Sequence, residues 1–509
     1  MIEKLYCYLV NSLCCALYRR EYRKYINNES IGEVQKEKLF KIIKDNSETD
    51  YGLKYGFKDI KTVEEFQEKV PFTDYEDYLP YIEEIKKGKK NILTSEDVLL
   101  LEKTSGSVSS SKLIPYTDSL KREFQCGIKP WVYNLYTSIP RVKWGKSYWS
   151  VTPIETEKEY TEGGIPIGFE EDSEYFGKIE KLLMNKIFVT PKDIAKESDI
   201  ESFQFKTMQA LLKCKNLTLI SIWNPTFFLL LLEYLDGNSE NLLLSLKKSR
   251  REEIFQYIKA KEYTKIWPNL KVISCWMDGN AKVYGERLQE VFNGVIIQSK
   301  GLLATEGFVS FSFTKEKGSR LSYNSHFFEF ISLKDGEVYL AEELKENQRY
   351  EVVLTTSGGL YRYKIKDVIE VCGFSKETPR IIFTGRRDKV SDLFGEKLNE
   401  DFIKNMIEDL NIKKDFFMIA PEEDRYVLYL KTKEELPEID ELFRRNFHYD
   451  YCRKLGQLKK LRIFLLQGNP EKEYIDECIK RGQRMGDVKP IILSLKGGWD
   501  KVFTGHYLD

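Results

Sequence analysis

Residues 216–232 are seventeen consecutive uncharged positions, and no other stretch constrains this 509-residue chain as strongly. So apolar a run must be buried, either in a protein core or in a bilayer. Asn224-Pro225 decides between the two. Asn is a helix-capping residue, and Pro is tolerated in the first turn of a helix. The run therefore divides into a strand, 217–223, and a helix opening at Pro225, which is a buried β–α unit and no membrane span. The order recurs downstream. Residues 270–275 and 295–298 read as strands, with a helix from about 282 to 292 between them. Strand–helix alternation of this kind predicts parallel α/β layers.

Around that unit the pattern is less uniform. Residues 33–45 read as a helix with Val34, Leu39, Ile42 and Ile43 on one side, and Thr62-Val-Glu-Glu opens another before Pro71. Residues 97–101 and 112–115 read as short strands flanking a hydroxyl-rich loop, with a helix from Thr117 onward. Between 311 and 370 short strand-like segments are separated by turns at Asp335-Gly336 and Gly358-Gly359, which predicts a small barrel or antiparallel sheet. Past Arg386, strands at 426–430 and 461–465 alternate with helices at 399–410 and 471–481. The expected fold class is thus α/β. A large N-terminal domain, 1–386, combines α/β layers with a small β-barrel or antiparallel sheet, and a small α+β domain, 387–509, follows a hinge at Arg387-Asp388.

Composition narrows the function. Eighty Lys and Arg balance eighty Asp and Glu, so no whole-protein field draws nucleic acid or an anionic membrane. Three histidines are too few for a His-rich metal site, and nine cysteines without a CxxC pair read as free thiols of a reducing, cytoplasmic compartment. Residues 5–18 are uncharged but lack the basic start and cleavage site of a secretion signal, and read as an apolar docking helix. His326, beside Phe327-Phe328 on a strand, reads as a packed residue.

Four segments carry chemistry. Lys103-Thr-Ser-Gly-Ser-Val-Ser-Ser-Ser-Lys112 gathers hydroxyls at Thr104, Ser105 and Ser107, a close-approach Gly106 and the cation of Lys112. Hydroxyls, backbone N–H groups and a lysine are what a polyphosphate needs, although the Walker spacing is absent. Asp278-Gly279-Asn280 and Lys300-Gly-Leu-Leu-Ala-Thr-Glu-Gly307 each follow a predicted strand, where open α/β sheets bind ligands. Thr305 suits a phosphate contact, and the Glu306 carboxylate suits Mg²⁺. Residues 360–365 read as a strand with Tyr361, Tyr363 and Ile365 on one face, Arg362 and Lys364 on the other, and Asp367 at its end; Phe383-Thr-Gly-Arg-Arg-Asp388 then brings Arg386. Each alone is an ordinary loop or turn; the order is what is distinctive. Trp131, Trp149 and Trp223 suit either a core or the wall of an acid pocket.

Taken in order, these segments resemble the adenylate-forming superfamily, and more closely the acyl acid amido synthetases, the auxin-responsive family of plants with its bacterial-type members. The resemblance runs from about residue 35 to 495 and includes Trp223-Asn-Pro-Thr-Phe, Trp267-Pro-Asn-Leu-Lys-Val-Ile-Ser-Cys-Trp276, Lys300-Gly-Leu-Leu-Ala-Thr-Glu-Gly307, Phe327-Phe-Glu-Phe, Gly359-Leu-Tyr-Arg-Tyr and Gly482-Gln-Arg-Met-Gly-Asp-Val-Lys489. It implies an ATP- and Mg²⁺-dependent ligase that activates a carboxylic acid as an acyl-adenylate and passes the acyl group to an amine, such as an amino acid. By carry-over, residues 104–112 would hold the outer phosphates, Asp278, Gly279 and Asn280 the adenine, Thr305 the α-phosphate, Glu306 the Mg²⁺, and Asp367 with Arg386 the ribose. Lys489 would be the lysine that a mobile C-terminal domain delivers to the adenylating centre. Three positions depart from the family pattern: Ser replaces a second Gly in the phosphate loop, Lys366 stands where Gly is usual before Asp367, and Leu302 stands where many relatives have a Tyr stacked on adenine. An acyl-CoA-type ligase sharing the adenylation step and a catalytically degenerate nucleotide- or acid-binding relative are the competing readings. Retention of Lys112, Glu306, Asp367, Arg386 and Lys489 together weighs against the second.

Overall fold

A computed structural model describes the chain except residues 28–29, 105–111, 151–158, 169–182, 184–185, 192–193, 195–196, 198, 388–389, 392, 395, 397, 411, 482, 484–487 and 509. The described residues form two compact units, Met1–Ile365 with Ile369–Thr384, and Lys366–Val368 with Gly385–Asp509.

In the first unit four parallel strands lie in the order Lys146–Trp149, Leu217–Ser221, Val272–Cys275, Ile296–Ser299. Alternate residues of the inner strands face different cores. Leu219 and Val272 join the cluster that includes the N-terminal helices, whereas Ile220 and Ile273 join the one built on Ile200–Lys213 and Pro225–Leu243. The period-2 alternation of a strand makes one short apolar run serve two layers, so the sheet is covered on both faces. Asn224 caps the helix Pro225–Leu243, its side chain accepting from the Thr226 N–H at 3.0 Å. Thr117 does the same for helix Asp118–Ser138, accepting from Leu120 at 3.1 Å. Burying each helix on the sheet then outweighs its entropy of ordering, which local propensity alone does not.

The strands Leu100–Lys103 and Leu113–Tyr116 pair antiparallel, Leu100 with Tyr116 and Lys103 with Leu113. The Thr104 N–H donates to the Lys112 carbonyl at 3.0 Å and closes the ladder at the loop end.

A seven-stranded sheet, edged by Ser310–Phe311 and Val338–Leu340, is open rather than closed into a barrel; most of its residues belong to this unit, and residues 366–368 and 385–386 of its strands belong to the other. One of its strands departs from expectation. It runs from Tyr363 to Ser375, so Asp367 lies within it and not at its end. Gly359 (φ 100°) and Arg362 (φ 46°) keep the preceding residues in a turn. Arg362 is buried rather than outward-facing. It makes a bidentate contact with Glu329, Nε to Oε2 at 3.0 Å and a second guanidinium nitrogen to Oε1 at 2.9 Å, and it donates to the carbonyls of Gln67 and Val70. Four good hydrogen bonds offset the strain of a left-handed arginine. Lys366 also sits at positive φ, 65°, a conformation that glycine adopts at less cost.

The N-terminal segment is a helix, Ile2–Ile26, that buries Cys7, Val10, Cys14, Cys15 and Tyr18 while Leu5, Leu9, Leu13 and Leu17 stay exposed. Asn11 and Tyr25 fasten it by hydrogen bonds to the carbonyls of Lys143 and Leu321 at 2.9 Å. All nine cysteines are free thiols. Among the described residues no helix is long and apolar enough to cross a membrane.

The second unit is α+β. Its four-stranded sheet runs Lys414–Glu422, Arg425–Thr432, Arg462–Leu466, Gly505–Leu508. Buried Asp440 accepts from the Tyr449 hydroxyl at 2.7 Å, the Leu461 N–H at 2.9 Å and the Arg453 guanidinium at 3.1 Å, and so ties two helices to the start of a strand.

Candidate nucleotide- and acid-binding site

The carboxyl ends of the parallel strands converge. The Trp276 N–H donates to the Trp223 carbonyl at 2.7 Å, and the Lys300 N–H to the Cys275 carbonyl at 3.1 Å. The Asp278 and Lys300–Glu306 loops therefore leave the sheet side by side, at the crevice where α/β sheets take ligands.

Gly301 makes the second loop possible. Its φ is 88°, and a Cβ there would meet the Ser310 carbonyl at 2.5 Å. The chain then forms a minimal hairpin, Leu303–Ala304 against Gly307–Phe308, with Thr305 and Glu306 at its tip. The Tyr116 hydroxyl donates to the Thr305 carbonyl at 2.6 Å. The hairpin of Leu100–Lys103 and Leu113–Tyr116 and the Thr305–Glu306 turn are thereby brought together. Glu306 is half-buried and pairs with no described residue. Lys112 is likewise half-buried and has no described carboxylate partner. Its ammonium lies 3.3 Å from the Tyr363 hydroxyl and over the rings of Tyr75 and Tyr363, with centroids at 5.7 and 5.9 Å. Aromatic faces hold the cation without neutralising it. Ser105, Gly106 and Ser107 lie outside the described residues.

Asp278 and Gly279 follow the strand Val272–Cys275 after Trp276 and Met277, and Gly279 opens a short 3-10 turn through Asn280. Burial pushes the Asp278 carboxyl up to about 6, against the opposing pull of the Phe383 N–H. Trp276 and Phe383 stand edge to face at 5.5 Å, and a Cβ on Gly279 would meet the Phe383 ring at 3.3 Å. These two aromatics were missed by sequence reasoning, although both lie inside motifs it had singled out. Leu302, expected near the adenine, is 4% exposed and belongs to the core, so it is not placed to stack.

Behind the Thr305–Glu306 turn lies a buried polar network that sequence reasoning also missed. Glu123, from helix Asp118–Ser138, accepts from Ser357 Oγ at 2.7 Å and the Ser357 N–H at 3.0 Å, and its Oε2 is 3.0 Å from His326 Nδ1. Burial pushes its carboxyl up, but His326, Lys38 and Ser357 outweigh that and hold it below the ordinary value.

In the second unit Arg386 and Asp367 form an ion pair at 3.3 Å. Lys489 is exposed, between buried Val488 and Pro490, and its carbonyl accepts from the Tyr474 hydroxyl at 3.1 Å. No group of three or more His, Cys, Asp or Glu suited to holding a metal occurs among the described residues.

Comparison with known proteins bears on the fold and the family. A protein named indole-3-acetic acid-amido synthetase GH3.3, from Arabidopsis thaliana, is 23% identical over 428 residues, covering 74% of this chain and 71% of its own. One from Oryza sativa subsp. japonica, named putative indole-3-acetic acid-amido synthetase GH3.10, is 26% identical over 406 residues, covering 74% and 83%. Among solved structures, that of the AtGH3.15 acyl acid amido synthetase in complex with 2,4-DB matches the fold with a TM-score of 0.80 at 19% identity, over 97% of this chain and 95% of that one. A 2-hydroxyisobutyryl-CoA ligase in the postadenylation state matches with a TM-score of 0.53 at 12% identity, over 92% and 88%. The GH3 family N-terminal domain model matches residues 24–257 and 247–297, and the GH3 family central domain model matches 320–386, so the chain belongs to the GH3 family.

Proposed function

We propose that this protein is an ATP-dependent acyl acid amido synthetase. It joins a carboxylic acid to an amine of the amino-acid class through an acyl-adenylate, releasing pyrophosphate and then AMP. The observation that carries the reading is the Thr305–Glu306 turn hydrogen-bonded through Tyr116 to the hairpin that ends in Lys112, in a chain of the GH3 family.

The residues divide the work. Thr104, Ser105, Gly106, Ser107 and Lys112 bind the β- and γ-phosphates, and Lys112 meets the charge that grows on departing pyrophosphate. Asp278, Gly279 and Asn280 line the adenine, with Trp276 and Phe383 as an apolar wall. Thr305 donates to the α-phosphate. Asp367, oriented by Arg386, accepts from the ribose hydroxyls. Lys489 supplies a cation at the adenylating centre, carried there by a mobile C-terminal domain, 387–509. An oxygen of the acid's carboxylate attacks the α-phosphorus, and the bond to pyrophosphate breaks. The amine nitrogen then attacks the acyl carbon, AMP leaves, and the ammonium proton is lost to solvent.

Glu306 fits a Mg²⁺ ligand. Mg²⁺ keeps several waters and takes one or two carboxylates beside substrate phosphates, so a single unpaired carboxylate at a phosphate-facing turn suffices. When bound, the ion neutralises phosphate oxygens. The nine free thiols suit a reducing, cytoplasmic compartment, and the balanced charge suits small-molecule partners rather than nucleic acid.

The test is pyrophosphate exchange into ATP against a panel of carboxylic acids, followed by an amine screen read by mass spectrometry. The expected result is acid-dependent exchange, release of AMP, and an amide product with at least one amino acid. Release of ADP and phosphate would replace the adenylate with an acyl phosphate and overturn the reading.

A further inference from the structure

The hairpin that presents Thr305 and Glu306 is too short to hold itself. It has two residue pairs, Gly307 with Ala304 and Phe308 with Leu303, and isolated two-stranded hairpins are marginal even when longer. Its position is therefore set by what grips it from outside. The turn carbonyl of Thr305 is held by Tyr116 at 2.6 Å. Phe308, two residues past Glu306, is held on both sides. Its N–H donates to His326 Nε2 at 2.9 Å, and its carbonyl accepts from Ser325 Oγ at 2.9 Å.

His326 is fully buried. Because Nε2 accepts from Phe308, the ring is neutral with its proton on Nδ1, and Nδ1–H donates to Glu123 Oε2 at 3.0 Å. Glu123 is in turn fixed by both donors of Ser357, and Lys38 lies 3.9 Å from its other oxygen. The chain Ser357–Glu123–His326–Phe308 thus runs through the core from the seven-stranded sheet to the edge of the Thr305–Glu306 turn. Gly307 leaves room for it: a Cβ there would crowd His326 Nε2 at 3.1 Å. Replacing the trio by apolar groups would spare the desolvation of buried polar side chains, but it would leave the Phe308 and Ser357 N–H groups without acceptors. What the polar chain adds is a fixed position for one backbone N–H.

We propose that His326 and Glu123 are positioning residues for adenylation, holding the Phe308 amide so that Thr305 and Glu306 meet the α-phosphate and its metal in register. The proposal rests on the site assignment made above, and the test separates the two. His326→Met removes both hydrogen bonds at similar length. His326→Gln retains both, its Oε1 accepting from Phe308 and its amide donating to Glu123. His326→Asn keeps a polar group but is too short to span the two partners, and is read like the Met variant, so a Met variant that fails to fold leaves the test standing. Each is compared with Glu306→Gln and with the double variant in pyrophosphate exchange, beside its melting temperature. The Met or Asn variant is expected to lose about 10- to 100-fold in kcat, the scale of a misplacement near 1 Å, with little change in KM for ATP. The Gln variant should recover most of the loss. The double variant should be no slower than Glu306→Gln alone, because both changes disable one turn. Wild-type kcat in a folded Met or Asn variant, or losses that add to that of Glu306→Gln, would overturn the positioning role while leaving the site assignment intact. Wild-type exchange in Glu306→Gln would overturn the assignment of the turn and this proposal with it.

Discussion

Asp278 shows how a single carboxyl reports its surroundings. Past the end of a parallel strand it loses water, and among the described residues it gains a long contact, 3.5 Å, from the Phe383 N–H. Desolvation prevails, and the group moves from the ordinary 3.8 to about 6. Because the folded value exceeds the unfolded one, the protonated form favours the fold. That contribution is complete below about 3.8 and is lost as pH rises through about 6. At about 1.4 kcal/mol per pH unit, the loss is bounded at about 3 kcal/mol. Asp278→Asn is expected to remove it. Between pH 4 and 7 the unfolding midpoint of the wild type should fall relative to that of the variant, measured by thermal or urea denaturation of the apo protein. Parallel pH profiles would mean that Asp278 titrates as an ordinary surface carboxylate.

At the scale of elements, helix Asp118–Ser138 and the Thr305–Glu306 hairpin meet at a glycine. A Cβ on Gly127 would lie 2.2 Å from the Phe308 ring and 2.8 Å from Ser322 Oγ. Two effects oppose each other in Gly127→Ala. Helix propensity favours Ala by about 1 kcal/mol, while overpacking against a buried ring costs about 1–3 kcal/mol. Phe308 is anchored through its backbone on both sides, so it has little freedom to yield. The net expectation is a destabilisation of up to about 2 kcal/mol, seen as a lower melting temperature, together with slower exchange because the hairpin shifts. An Ala variant as stable and as fast as wild type would show that the ring repacks freely.

The same elements show what the chain made legible. The cap at Asn224 and the runs at 217–223 and 270–275 announced the parallel sheet, because capping and burial act within a few residues. The strand Tyr363–Ser375 was misplaced because the left-handed φ of Arg362 is imposed by Glu329, Gln67 and Val70, which are remote in sequence. Glu123 and His326 stand 203 residues apart, and neither lies in a motif that announces the other. The loops of the proposed site stand out in the sequence as motifs; the contacts that hold them are tertiary.

For the whole molecule, the assigned residues divide between the two compact units. Thr104, Lys112, Asp278, Thr305 and Glu306 belong to the first, and Asp367, Arg386 and Lys489 to the second. Adenylation builds negative charge at the α-phosphate, and a preorganised cation there lowers the barrier. With Lys112 assigned to the outer phosphates, the function proposed above gives that role to Lys489. Its backbone is well suited to present a long side chain. Val488 is buried, the Lys489 carbonyl is held by the Tyr474 hydroxyl, and the Tyr474 ring stacks on Trp499 at 5.3 Å. Pro490 confines Lys489 to extended geometry. A cation that serves only the adenylation transition state is not needed once the acyl-adenylate is made. Lys489→Ala is therefore expected to lower acid-dependent pyrophosphate exchange by about 10²-fold or more, yet to convert a supplied acyl-adenylate and amine to amide at close to the wild-type rate. Measuring the two half-reactions separately decides the matter. If both survive the substitution, Lys489 is an ordinary surface lysine; if only amide formation is lost, it serves the second step and the cation for the first must be sought elsewhere.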